Sequence, residues 1–156
     1  MRNFILPALL LSVLLNGTSC VKDSTCSPKS VASEAPQIQS FAAANGITTT
    51  AHGSGLYYEV MDPGTGATAT LNSTIYITYT GSLLDGTVFD QQNNPALTGW
   101  PLSQLIEGWR VGIPLVKEGG HIKLIVPSSM GYGCTGYGSI PGNAVLFFDI
   151  HVIDVQ

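Results

Sequence analysis

The 156-residue chain carries 6 basic and 10 acidic residues, a formal net charge of −4. Only 10% of its residues are charged, against roughly 25% in an average domain, while 44% are apolar and 18 are glycine. This balance suits one turn-rich domain with a packed core. Without a Lys/Arg cluster to follow a phosphate backbone, it excludes a nucleic-acid partner.

The chain begins with a targeting pattern. Arg2 supplies a positive start, and an apolar run extends from Phe4 to Leu15, shorter than the roughly 20 residues of a transmembrane helix. The run ends in LLNGTSC. Small residues directly before a cysteine resemble a bacterial lipoprotein signal, although Gly17 stands where an aliphatic residue is usual. The expectation is a signal peptide over 1–19, lipid attachment at Cys20, and a membrane-anchored protein of the bacterial cell envelope, facing the periplasm or the cell surface. Ordinary secretion is the alternative. Lys22-Asp23 resembles an export tag, which leaves a surface-exposed, adhesin-like lipoprotein as a third reading.

Residues 20–35 are polar and small, a composition that reads as a flexible tether. Residues 36–54 read as a short helix and a connection. Pro36 suits a first turn, Ile38, Phe41 and Ala42 share one face, and Asn45-Gly46 is a stop signal. Outside the cytoplasm Cys26 and Cys134 could pair, but a position in a tether and another in a loop weigh against a bridge.

From Gly55 to residue 156 the pattern is that of one β-rich domain. GLYYEVMD and STIYITYTG read as strands, with Ile75, Ile77 and Tyr79 alternating against Tyr76, Thr78 and Thr80. Asp85-Gly86 marks a turn, after which Phe89 and Asp90 follow side by side. A short helix begins near Ile106. HIKLIVP is another strand, MGYGCTGYGSIPGN a glycine-rich loop, and AVLFFDIHVIDV a long closing strand with Leu146, Phe148, Ile150 and Val152 on one face. The predicted class is α+β: a curved antiparallel sheet wrapped around one short helix.

The familiar catalytic signatures are missing. His52, His121 and His151 are scattered along the chain and read as surface residues, so no metal site is expected. No serine sits in a GxSxG context, the glycine-rich loop does not join a strand to a helix as a phosphate cradle would, and the acids show no pairing that marks a hydrolase. What remains is an aromatic and aliphatic set at strand ends and loop edges: Tyr79, Phe89, Trp100, Leu105, Ile106, Trp109, Tyr132, Tyr137, Ile140 and Phe148. By periodicity alone each is more simply a core residue than a ligand-binding one.

YTGSLLDGTVFD, PLSQLIEGW, VKEGGHIKLIVP, the GYG of SMGYGCTG, and IPGNAVLFFDI occur in order from Gly55 onward. Together they resemble the FKBP-type peptidyl-prolyl cis–trans isomerases. The resemblance implies a five- or six-stranded antiparallel sheet around one short helix. It also implies a catalytic set of Tyr79, Phe89, Asp90, Ile106, Trp109, Tyr132 and Phe148, with Trp100, Leu105, Tyr137 and Ile140 as substrate-binding residues. Trp109 would form the pocket floor, the Ile106 N–H would meet a substrate carbonyl, the Tyr132 hydroxyl would bond the substrate, and Tyr137 and Ile140 would belong to the flap. Two departures stand out: Tyr137 occupies a frequent histidine position, and no arginine follows Asp90 to pair with it. The resemblance implies activity on proline-containing polypeptides with no cofactor and no metal, by a chain for which a monomer suffices. A proline-peptide binding module or holdase with little turnover is the alternative.

Overall fold

A computed structural model describes residues 26–156. The leader, Cys20 and the first residues of the tether lie outside the described residues. In chain order the elements are α1 (Val31–Ala44), β1 (Thr50–Ala51), β2 (Tyr57–Asp62), β3 (Thr74–Leu83), β4 (Val88–Gln92), β5 (Trp100–Pro101), α2 (Glu107–Gly112), β6 (His121–Val126) and β7 (Leu146–Val155). All seven strands join one antiparallel sheet in the order β1-β2-β6-β7-β3-β4, with β5 added beside β3. The predicted α+β sheet around one short helix is the fold observed.

The inner face of the sheet packs on α2 and part of its outer face on α1, and side-chain parity shows which residue serves which. Ile75, Ile77 and Tyr79 of β3, Ile122, Leu124 and Val126 of β6, and Leu146, Phe148, Ile150 and Val152 of β7 turn inward onto α2 and form the main core. The helix lies very close to the strands because two of its six residues are glycines. A β-carbon at Gly108 would come within 2.5 Å of Val126, and one at Gly112 within 2.6 Å of Leu124. The intervening Trp109 is thereby held between the sheet and the pocket.

Ile125 and Phe147 have the opposite parity. They form a second cluster on the outer face with Val145 and with Ile38 and Ala42 of α1, and the Phe41 and Phe147 rings lie 5.3 Å apart. Here the sequence-based boundaries need correction. The tether expected to reach residue 35 gives way to helix at Val31, five residues before Pro36, so Pro36 lies inside α1. Ser30 caps the helix by accepting from the Ser33 N–H, and Glu34 in the first turn is fully buried. The Glu34 carboxylate accepts from the Ser128 N–H at 2.9 Å and from its hydroxyl at 2.6 Å. These two bonds tie the first turn of α1 to the domain, although Pro36 removes one backbone hydrogen bond from the helix. The expectation against a bridge is likewise overturned, since Cys26 and Cys134 are joined by a disulfide. Residues 27–30 run beside the glycine-rich loop, where Asn143 donates to the Ser27 carbonyl and accepts from the Lys29 N–H.

Candidate active site

The β3–β4 hairpin builds the first wall. Gly86 takes a positive φ of 89° at its tip, a backbone state that favours glycine, and Asp85 accepts from the Thr87 N–H at 2.9 Å. The ladder then slips: Gly81 pairs with Asp90 and Ser82 with Val88, leaving Phe89 as the extra residue of a bulge. In a regular strand, neighbouring side chains point to opposite faces. The bulge breaks that alternation, so Phe89 and Asp90 both line one cavity.

Gly81 explains why there is space for the cavity. It lies opposite Asp90 on β4 and opposite Phe148 on β7. A β-carbon here would come within 2.8 Å of the Phe148 ring and 2.9 Å of the Phe89 ring. Those two rings lean over the glycine edge to face, with centroids 5.7 Å apart. The Trp109 ring meets Phe148 at 5.1 Å and Tyr79 at 5.0 Å, both nearly perpendicular. Trp100 of β5 closes this side, 6.0 Å from Tyr79 and 6.4 Å from Trp109.

The cavity these rings enclose is about 440 Å³, and Leu105, Ile106, Tyr132 and Tyr137 complete its rim. All seven residues expected to be catalytic line it, as do Trp100, Leu105 and Tyr137. Ile140 does not. It lines a second hollow of about 220 Å³ whose walls share Phe89, Asp90, Tyr132 and Tyr137 with the first. Its side chain is buried under the loop turn, where the Tyr137 N–H donates to its carbonyl at 3.0 Å. Pro101 and Gln104, absent from the expected set, also line the main cavity. Their place inside PLSQLIEGW was the available signal.

Polar groups are few. The Tyr79 hydroxyl donates to Asp90 at 2.6 Å, which supplies the carboxylate partner that the absent arginine does not. Burial, then the hydrogen bond to Asp90 and its charge, push the Tyr79 phenol well above its ordinary pKa. The Tyr132 phenol is also raised, first by burial, then by the charges of Asp90 and Tyr137. Both therefore stay neutral O–H groups at physiological pH. The Ile106 N–H and the Tyr132 hydroxyl have no hydrogen-bond partner among the described residues. The Tyr132 ring stacks on Tyr137 at 5.5 Å, and Tyr137 is 71% exposed at the rim. Among the described residues the buried Trp109 indole N–H has no hydrogen-bond partner.

A half-open antiparallel sheet, a short helix carrying a tryptophan floor, and an aromatic cavity with isolated polar tips define an FKBP-type domain. The sequence model of FKBP-type peptidyl-prolyl cis-trans isomerases matches residues 66–153, and the chain belongs to that family. It is similar to FkpA of Aeromonas hydrophila, an isomerase of the same type, with 42% identity over 106 residues covering 66% of this chain and 39% of the relative. The crystal structure of FkpA from Escherichia coli superposes with a TM-score of 0.69 and 32% identity, over 80% of this chain and 58% of that one. An isomerase structure from Pseudomonas syringae gives a TM-score of 0.68 and 26% identity, covering 83% of this chain and 98% of the other. The chain thus spans about two-fifths of the length of the Aeromonas relative.

Proposed function

We propose that the chain catalyses cis–trans isomerisation of Xaa-Pro bonds in exported polypeptides. The observation that carries this reading is the aromatic cavity, with the free donors of Ile106 and Tyr132 on its rim and Asp90 in its wall. The uncatalysed rotation has a barrier of roughly 18–20 kcal/mol and takes tens to hundreds of seconds. No covalent bond is broken, so neither nucleophile nor base is required. Amide resonance makes the planar ground state more dipolar than the twisted state. Transfer from water to an apolar cavity therefore destabilises the planar form more, and only such a preference for the transition state speeds the step.

In this reading Trp109, Phe148, Phe89 and Tyr79 hold the proline ring, and Trp100 and Leu105 flank the entering chain. The Ile106 N–H and the Tyr132 hydroxyl donate to substrate carbonyls beside the rotating bond. Asp90, held by Tyr79, orders the wall nearest that bond. Tyr137 and Ile140 shape the neighbouring hollow, which suits a residue adjacent to proline.

The test is cis–trans exchange of a short Xaa-Pro peptide with catalytic amounts of protein. Tyr132→Phe removes one hydrogen bond, about 0.5–1.5 kcal/mol, and so lowers the rate about two- to twelvefold. Binding without acceleration would instead favour the proline-peptide module or holdase. We further propose a lipid anchor at Cys20, on the strength of LLNGTSC, with the protein held at the bacterial envelope as a monomer. Among the described residues no helix is long and apolar enough to cross a membrane. Acyl labelling that persists in Cys20→Ser would count against the anchor.

A further inference from the structure

The outer face of the sheet brings together residues that lie far apart in sequence. His121 on β6 stands directly opposite His151 on β7, and Asp149 precedes His151 by two residues, on the same face. Phe148 and Ile150, between and beside them, turn inward to the core. His121 Nε2 donates to Asp149 Oδ1 at 2.6 Å, and His151 Nε2 lies 4.0 Å from the same oxygen. The two imidazoles stack with centroids 3.8 Å apart and planes inclined by 16°. One ligand atom from each of the three residues falls within 4.8 Å of the others.

We propose that His121, Asp149 and His151 form a binding site for a divalent transition-metal ion of the zinc type, with water at the remaining position. Zinc takes imidazole nitrogen at 2.0–2.1 Å and carboxylate oxygen at 2.0–2.2 Å in a tetrahedron, so neighbouring ligand atoms lie about 3.3 Å apart. The present separations straddle that value, and side-chain rotations of about an ångström close the set. The three residues stand on β6 and β7, interior strands paired on both sides, which hold the backbone beneath them in place. The ion has access from solvent, with side chains 22%, 33% and 52% exposed for His121, Asp149 and His151. Two imidazoles and one carboxylate select zinc, copper or nickel over magnesium or calcium. Lys123, opposite Asp149, forms no ion pair with it and moderates the affinity for a cation.

The ion would replace the proton that His121 now shares with Asp149 and would tie β6 to β7 on the face opposite Phe148. Because the ligands are assembled only in the folded chain, bound metal stabilises the native state.

The experiment uses the untagged, metal-free chain carrying Cys20→Ser with its disulfide oxidised, so that no cysteine offers a thiolate. Zinc titration by calorimetry should give one equivalent bound and a raised melting temperature. Co2+ should give a visible absorption band at the same stoichiometry. His121→Ala and His151→Ala should each weaken zinc binding by about tenfold or more, and Asp149→Asn should weaken it too. If a variant misfolds, zinc-induced shifts of the His121 and His151 ring signals in the wild-type protein locate the ion. Undiminished binding in both histidine variants would place the zinc elsewhere on the chain and overturn the proposal. So would an absence of binding, or equal binding of Mg2+.

Discussion

The disulfide offers the most direct test of how the N-terminal segment contributes to the domain. Cys26 and Cys134 are 108 residues apart in sequence, so the bridge closes most of the described chain into one loop. A cross-link of that span removes unfolded-chain entropy equivalent to about 4.7 kcal/mol. That is a large share of the roughly 5–15 kcal/mol by which a typical domain is stable. The double substitution Cys26→Ser/Cys134→Ser should therefore lower unfolding free energy by about 3–5 kcal/mol. Each single substitution should match the double one, since either removes the same loop closure. Urea unfolding followed by tryptophan fluorescence reads this directly, and reductant should bring the wild type to the midpoint of the variants. A loss below about 1 kcal/mol in all three variants would show that the segment docks without needing the bridge.

Glu34→Ala strands the Ser128 N–H and hydroxyl in a buried place and should cost about 1–3 kcal/mol in chemical denaturation; Glu34→Gln, which keeps an acceptor, should recover part of it. Gly81→Ala should push the Phe89 and Phe148 rings out of contact, costing about 1–3 kcal/mol in stability and lowering proline-peptide exchange more than a change of similar stability cost on the outer face. The phenol of Tyr79 also predicts an alkaline effect. Its folded pKa lies above the unfolded value of about 10, so its contribution is complete below that pH and is lost as the pH rises beyond it. Unfolding free energy should fall between pH 9 and 11 by less in Tyr79→Phe than in the wild type, and identical slopes would contradict the burial and Asp90 bond assigned to this hydroxyl.

Much of the inner architecture could be read along the chain because it depends on short-range pattern. The alternation in STIYITYTG and in HIKLIVP marks the strand faces, and Asp85-Gly86 marks the hairpin. The ordered motifs then brought Tyr79, Phe89, Asp90, Trp109, Tyr132 and Phe148 to one expected pocket. The bulge that lets Phe89 and Asp90 share a cavity was hidden, since it depends on the register between β3 and β4. Other features were hidden by distance along the chain. Glu34 looks like a surface acid until Ser128, 94 residues away, supplies its two donors. Cys26 looks unconstrained until the loop around Cys134 lies beside it. His121 and His151 looked unrelated because only the pairing of β6 with β7 stacks their rings. Ile140 was drawn toward the pocket by its neighbours in the loop, while its turn with Tyr137 buries it beside the second hollow.

Helix α1 changes where a working fragment of this protein can be cut. An expression boundary drawn at Gly55, where the family-like pattern begins, would strip Ile38, Phe41 and Ala42 from Ile125, Val145 and Phe147. Water would then wet a greasy patch on the back of the sheet, an invitation to self-association during purification. A boundary ahead of Cys26 keeps that patch roofed and retains the staple to the loop carrying Tyr132.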